Sequence, residues 1–195
     1  MGIEFFQTIP DPSYAQGYAS GAGDALNPGL WRGLVGAWMP SLGPTGSTLM
    51  DVSGRKSHGS IESDLPLTKW VPGALTFDGD NDYVDLGISP AGGLTALSVV
   101  AMVRPVDSTN RMVSEDGTVY NTNAFYFHLK DGKPEFEIYT YNYDLVRATE
   151  VLSTTQASLI VGTWVSGTRP NMYVNGTLDN ATRMGGASIR TAESW

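Results

Sequence analysis

Residues 73–87 read GALTFDGDNDYVDLG. Leu75 and Phe77 alternate with Ala74 and Thr76, and Val84 and Leu86 alternate with Tyr83 and Asp85. A period of two is the mark of half-buried strands, so the segment predicts strand, turn, strand. Asp78-Gly79-Asp80-Asn81-Asp82 between them is a run of turn formers with four oxygen-bearing side chains. The stretch therefore predicts a β-hairpin with an acidic tip, which is either plain structure or a seat for a hard cation such as calcium.

Outward from that hairpin, the same pattern persists. From Leu30 onward short apolar segments are separated by turn signals, and no long helical period appears. Strands are predicted near 34–38, 74–77, 83–87, 97–104, 124–130, 135–141, 157–164, 171–174 and 177–181. Many short strands with frequent turns predict an all-β antiparallel sandwich. LSVVAMV at 97–103 is apolar on both faces and is expected to be a central strand. Asn175-Gly176 is a two-residue hairpin signal, because both positions favour positive φ. In FYFHLK-DGKP-EFEIYT (125–140), a four-residue loop pairs Lys130 with Glu135, His128 with Glu137 and Tyr126 with Tyr139. Leu129, Phe127, Phe136 and Ile138 then form a wholly apolar opposite face. Residues 1–28 differ: two prolines near Asp11 and a Gly/Ala/Ser-rich run predict an extended N-terminal arm, leaving 29–195 as one domain.

Composition narrows the function. The chain has 195 residues, 41% hydrophobic and 16% charged, which suits a globular domain with a real core. A net charge of −8 argues against nucleic acid and anionic membrane surfaces as partners. Without cysteine there is neither a disulfide nor a thiolate metal site. The N-terminus lacks a basic segment followed by an apolar one, so no cleaved secretory leader is expected. No apolar run approaches the roughly 20 residues of a membrane span.

Three segments together resemble the LamG-like jelly-roll family of the concanavalin A-like lectin and glucanase superfamily. They are GLVGAWMP (33–40) with MDVSGRKSHGSI (50–61), GALTFDGDNDYVDLG (73–87) with LTALSVVAMVRPVD (94–107), and LIVGTWVSGTRPNMYVNGTLDNAT (159–182). The resemblance covers roughly residues 30–182 and implies a jelly-roll sandwich. The usual Asp in the turn after Trp164 is replaced by Val165-Ser166-Gly167. The family's last strand, which commonly lies beside the first, has no counterpart before Trp195. The resemblance thus implies that the chain is a fragment, or that its arm, a second copy or another partner completes the sheet beside Leu34–Trp38.

The resemblance also implies chemistry. A structural Ca²⁺ is common in the family, and Asp51 and the carbonyl region of Gly54 match its D-x-SG loop. Asp78, Asp80 and Asp82 are a second candidate set, for which the plainer reading as turn formers and solvated acids is preferred. Jelly-roll lectins bind glycans with aromatic and polar side chains on a sheet face. Here Tyr126, His128, Glu137, Tyr139 and Tyr141 share a predicted face, and Trp164 is a further candidate. Tyr126–Tyr139 and His128–Glu137 also read as ordinary cross-strand pairs, and for any single residue that plainer reading is preferred. Glu135-Phe136-Glu137-Ile138-Tyr139 is the nearest string to the glucanase pattern but lacks its middle Asp and last Glu. The expected function is therefore non-catalytic recognition of glycans or a protein surface. The alternative is a structural virion protein, a phage decoration or tail-associated subunit, favoured by the arm and the absence of leader and cysteine.

Overall fold

The computed structural model describes residues 33–63, 69–88, 95–106, 111–115, 124–139 and 143–184. The arm at 1–28, Tyr141 and everything after Met184 lie outside the described residues. The fold is all-β, and the described residues form four antiparallel sheets and a short 3₁₀ turn at Pro40–Leu42. The chain divides between Ile88 and Ser89 into two compact units.

The first unit holds a three-stranded sheet and a small hairpin. The sheet orders β1 (Thr48–Leu49), β2 (Gly59–Glu62) and β5 (Tyr83–Asp85) side by side. The hairpin joins β3 (Trp70–Val71) to β4 (Ala74–Leu75) through Pro72-Gly73, with Gly73 at φ 77°. A proline followed by a positive-φ glycine fits a tight turn. The expected pairing across the acidic turn does not form: β4 pairs with β3, while β5 pairs with β2. Val84 and Leu86 do alternate with Tyr83 and Asp85, but β4 ends at Leu75 and Phe77, expected on its buried face, is 45% exposed; alternation suggests a strand and does not name its neighbour. Leu34–Trp38, expected as a strand, contributes only an isolated bridge from Trp38 to Asp51. There the Trp38 indole folds back over Gly36, where a Cβ would lie 2.2 Å from the ring.

The second unit is a two-layer sandwich. One sheet has the order β14 (Thr182–Met184), β10 (Tyr143–Arg147), β9 (Lys133–Tyr139), β8 (Ala124–Lys130), β7 (Arg111–Glu115). The other has the order β13 (Thr177–Leu178), β12 (Asn171–Val174), β11 (Ser158–Val165), β6 (Ala96–Val103). Between them Phe125, Phe127, Leu129, Phe136, Ile138 and Val146 from the first sheet meet Ile160, Trp164, Met172 and Val174 from the second. Phe127 and Phe136 are fully buried, with ring centroids 5.6 Å apart and planes at 78°, a favoured edge-to-face arrangement.

Opposite the Phe136 ring lies Gly162 on β11, whose hypothetical Cβ would be 2.7 Å from two ring carbons. The absence of a side chain sets how closely the two sheets approach here. Gly162→Ala is expected to lower stability by about 1–3 kcal/mol through overpacking. Urea unfolding measures this, and a neutral result would mean that the layers are not in contact at Phe136.

Two further expectations, both in the second unit, need correction. The β8–β9 hairpin turns on two residues, Asp131 (φ 55°) and Gly132 (φ 74°), not four. The register is therefore Lys130↔Lys133, Leu129↔Pro134, His128↔Glu135, Phe127↔Phe136, Tyr126↔Glu137 and Ala124↔Tyr139. Asp-Gly favours this turn, and Lys130 and Lys133 then form the hydrogen-bonded pair beside it. Pro134 falls on the next rung, where the β8 ladder does not use its N–H, so it is tolerated inside the strand. The slip is two residues, so the two faces keep their membership while every opposite partner changes. Second, β6 is not central among the described residues: its only sheet neighbour is β11, and Val100 and Met102 are 63% and 66% exposed. The Asn175-Gly176 turn forms as expected, with φ 50° and 82°.

Candidate functional site

The face of the five-stranded sheet turned away from the core carries the main cluster of chemistry-bearing side chains. Alternation along β8 sends Phe125, Phe127 and Leu129 inward and Tyr126 and His128 outward. Along β9 it sends Pro134, Phe136 and Ile138 inward and Glu135, Glu137 and Tyr139 outward. Register then sets Glu135 between His128 on β8 and Arg147 on β10.

The resulting contacts are dense. Arg147 Nη2 donates to both oxygens of Glu135, at 3.0 and 3.2 Å, and Arg147 Nε donates to Oε1 at 3.3 Å. Such a two-pronged guanidinium–carboxylate pair suits a carboxylate that is almost fully buried, with 2% of its side chain exposed. His128 Nε2 lies 3.5 Å from Glu135 Oε2 and 3.3 Å from Glu137 Oε1. Tyr139 donates its hydroxyl to Glu137 Oε2 at 2.8 Å. The rings of Tyr126 and Tyr139 stand edge to face, 5.4 Å apart. Tyr126, His128, Glu137, Tyr139 and Arg147 are half-buried, while Glu135 and the neighbouring Leu145 are buried.

Four of the glycan-binding candidates, Tyr126, His128, Glu137 and Tyr139, are thus brought together. Trp164 is not with them. It is 5% exposed within the sandwich core, and its Nε1 donates to Asp144 Oδ2 at 3.1 Å. The alternation of β11 points Trp164 inward along with Ile160, and this overrides its aromatic character as a binding cue. Reading β9 as a two-ended strand omitted Arg147. Its signal is a lone arginine closing the short run Tyr143–Arg147, which is not among the predicted strands.

The calcium candidates form two hydrogen-bonded knots. Asp51 Oδ1 accepts from the backbone N–H of Ala37 and Ser53, at 3.0 and 2.8 Å. Its Oδ2 accepts from Ser53 Oγ and the Ser57 N–H, at 2.8 and 3.0 Å. Burial alone would push this carboxyl up, but those four donors outweigh it and hold the group below the ordinary Asp value. The Asp51 N–H in turn donates to His58 Nδ1 at 3.0 Å. Gly54, at φ 85°, sits in the turn that these bonds organise. Asp51 thus serves as the hub of its loop.

In the acidic turn, Lys69 pairs with Asp82 and lies 3.3 Å from Asp78 Oδ2. Asp82 also accepts the Asp78 N–H at 2.8 Å, and Asp78 accepts the Asp80 N–H at 3.0 Å. Desolvation opposes ionisation of Asp82, yet the bonds from Lys69, Ser63 and the Asp78 N–H bring its pKa down to about 2. An ammonium group from the chain itself sits against these acids.

Among the described residues, His128, Glu135 and Glu137 are the one group of histidine and carboxylate ligands whose donor atoms lie close together, all within 4.8 Å. No family model matches the chain, and no curated protein or solved structure matches it either.

Proposed function

We propose that this chain is a non-catalytic recognition module of the LamG-like jelly-roll type, and that the outward face of the five-stranded sheet binds carbohydrate. The observation that carries the reading is the half-buried cluster of Tyr126, Tyr139, His128 and Glu137 on that face. Aromatic rings stack on the C–H faces of sugars, and a carboxylate beside an imidazole can accept and donate to hydroxyls. The ring pair holds its own geometry, so little side-chain entropy is lost on binding. The two-layer antiparallel architecture supports the family resemblance.

Catalysis is less well supported by the same face. A glycosidase needs one carboxyl that donates a proton and one that attacks or activates water. Glu135 is instead bound at both oxygens by the Arg147 guanidinium. That arrangement gives both of its oxygens a structural partner.

The test is a glycan array probed with the purified protein, followed by calorimetry on any ligand found. Tyr126→Ala and Tyr139→Ala are expected to weaken binding at least about tenfold each, from loss of stacking worth about 1.4 kcal/mol. No binding to any glycan would overturn the proposal. So would binding that both variants leave unchanged while the fold, followed by circular dichroism, stays intact.

A further inference from the structure

We propose that His128, Glu135 and Glu137 form a binding site for a single divalent transition-metal ion of the Zn²⁺ class, with an open fourth position. The argument starts from the imidazole. His128 Nε2 is shielded from solvent and makes no hydrogen bond, although it stands within ion-pair range of two carboxylates. A buried polar atom without a partner is rare in folded proteins and calls for a ligand or a proton.

The distances fit an ion. In a tetrahedral zinc site the ligand bonds are about 2.0–2.2 Å, so neighbouring donor atoms stand about 3.4 Å apart. The observed separations from Nε2 are 3.5 Å to Glu135 Oε2 and 3.3 Å to Glu137 Oε1. All three donor atoms lie within 4.8 Å of one another, so modest side-chain motion closes the third edge.

The supporting contacts fit as well. Each carboxylate has one oxygen toward Nε2 and the other held by a neighbour, and Arg147 Nη2 also reaches Glu135 Oε2 at 3.2 Å, a bond that an ion on that oxygen would replace. Arg147 Nε and Nη2 hold Glu135 Oε1, and the Tyr139 hydroxyl holds Glu137 Oε2. Partners of this kind orient ligands and tune affinity in known metal sites. With a neutral imidazole, two carboxylates and one guanidinium leave a net charge of −1, which favours a dication. An imidazole nitrogen with only two carboxylates suits zinc, copper or nickel, whereas calcium and magnesium require more oxygen donors. The three ligands come from two paired strands, His128 opposite Glu135 and diagonal to Glu137, so the site is built on rigid elements. The fourth position would take water or an oxygen of a bound molecule.

The experiment is calorimetric titration of the chelator-treated full chain with Zn²⁺, in the absence of glycan, with Ca²⁺ in a parallel titration. One equivalent of Zn²⁺ is expected to bind, Ca²⁺ to give no saturable heat, and His128→Ala to abolish the Zn²⁺ event. Tyr139→Phe is expected to weaken it about tenfold or more, because Glu137 loses its orienting bond. Should His128→Ala fail to fold, X-ray absorption on the zinc-loaded wild type decides. A first shell with one imidazole and protein oxygens is expected, and none or two imidazoles overturns the proposal. Absence of a one-equivalent event overturns it, as does equal affinity in a folded His128→Ala. Because no sugar is present, the outcome is independent of the carbohydrate reading.

Discussion

Phe127→Ala is expected to destabilise the second unit by about 3–5 kcal/mol, the range for deleting a fully buried aromatic ring. Phe127 is 0% exposed and packs edge to face on Phe136, which in turn lies against Gly162 of the facing sheet. Removing the ring opens a cavity at the contact between layers. The walls can collapse only partly, because β8 is held on both sides, by β7 and β9. Small domains retain only about 5–15 kcal/mol of net stability, so the change is a large share of it. Urea unfolding followed by tryptophan fluorescence reads the loss, since Trp164 belongs to the same core. A loss under about 1 kcal/mol would mean that the ring is not enclosed and that the two sheets do not share this core.

Much of that core was legible before any coordinates. The alternation of FYFHLK and EFEIYT assigns Phe127, Leu129, Phe136 and Ile138 to one face, and all four are buried. Face membership follows from parity, and a two-residue register slip leaves parity untouched. Partners do not follow from parity. Lys130 opposite Glu135 looks favourable as a charge pair, but the Asp-Gly turn sets Lys130 opposite Lys133. Turn geometry outweighed a surface ion pair worth a few tenths of a kcal/mol. Pro134 misled in the same way: a proline reads as the end of a loop unless the rung it occupies needs no N–H.

The site was half legible for a related reason. Tyr126, His128, Glu137 and Tyr139 lie on one face by parity alone. Bringing Glu135 against both His128 and Arg147 needs the true register and a third strand. Arg147 lies twelve residues from its partner, on a strand with no turn signal of its own, so nothing local links them. The failure at LSVVAMV has another cause. Apolar residues on both faces suggest burial on both faces, yet Val100 and Met102 are exposed on a strand that, among the described residues, lies at the sheet's edge. Composition reports what a strand can bury, and pairing decides what it does bury.

Asp51→Ala is expected to cost the first unit about 3–4 kcal/mol, because one buried carboxylate satisfies four donors spread over 21 positions. The Ala37, Ser53 and Ser57 amides and the Ser53 hydroxyl would each need a new acceptor. Some of them reach water, which keeps the total below the sum of four separate losses. Asp51→Asn should cost less. One amide oxygen still accepts two bonds, while its NH₂ meets the Ser57 N–H donor to donor. The order is therefore wild type, then Asn, then Ala. The pH dependence follows from the sign of the shift. The folded-state pKa of Asp51 lies below the ordinary value of 3.8. Its contribution is fully present above that ordinary value and is lost as pH falls through the lower folded one. Wild type and Asp51→Asn should thus differ most above about pH 4 and converge below it. Hydrogen exchange at the Ala37, Ser53 and Ser57 amides, measured for all three proteins across that range, checks the order and the convergence together. Equal protection in wild type and Asp51→Ala above pH 4 would show that the loop is held by something other than this carboxylate. The bridge between Trp38 and Asp51 and the Val52 N–H bond to the Ala37 carbonyl would then have to hold it alone.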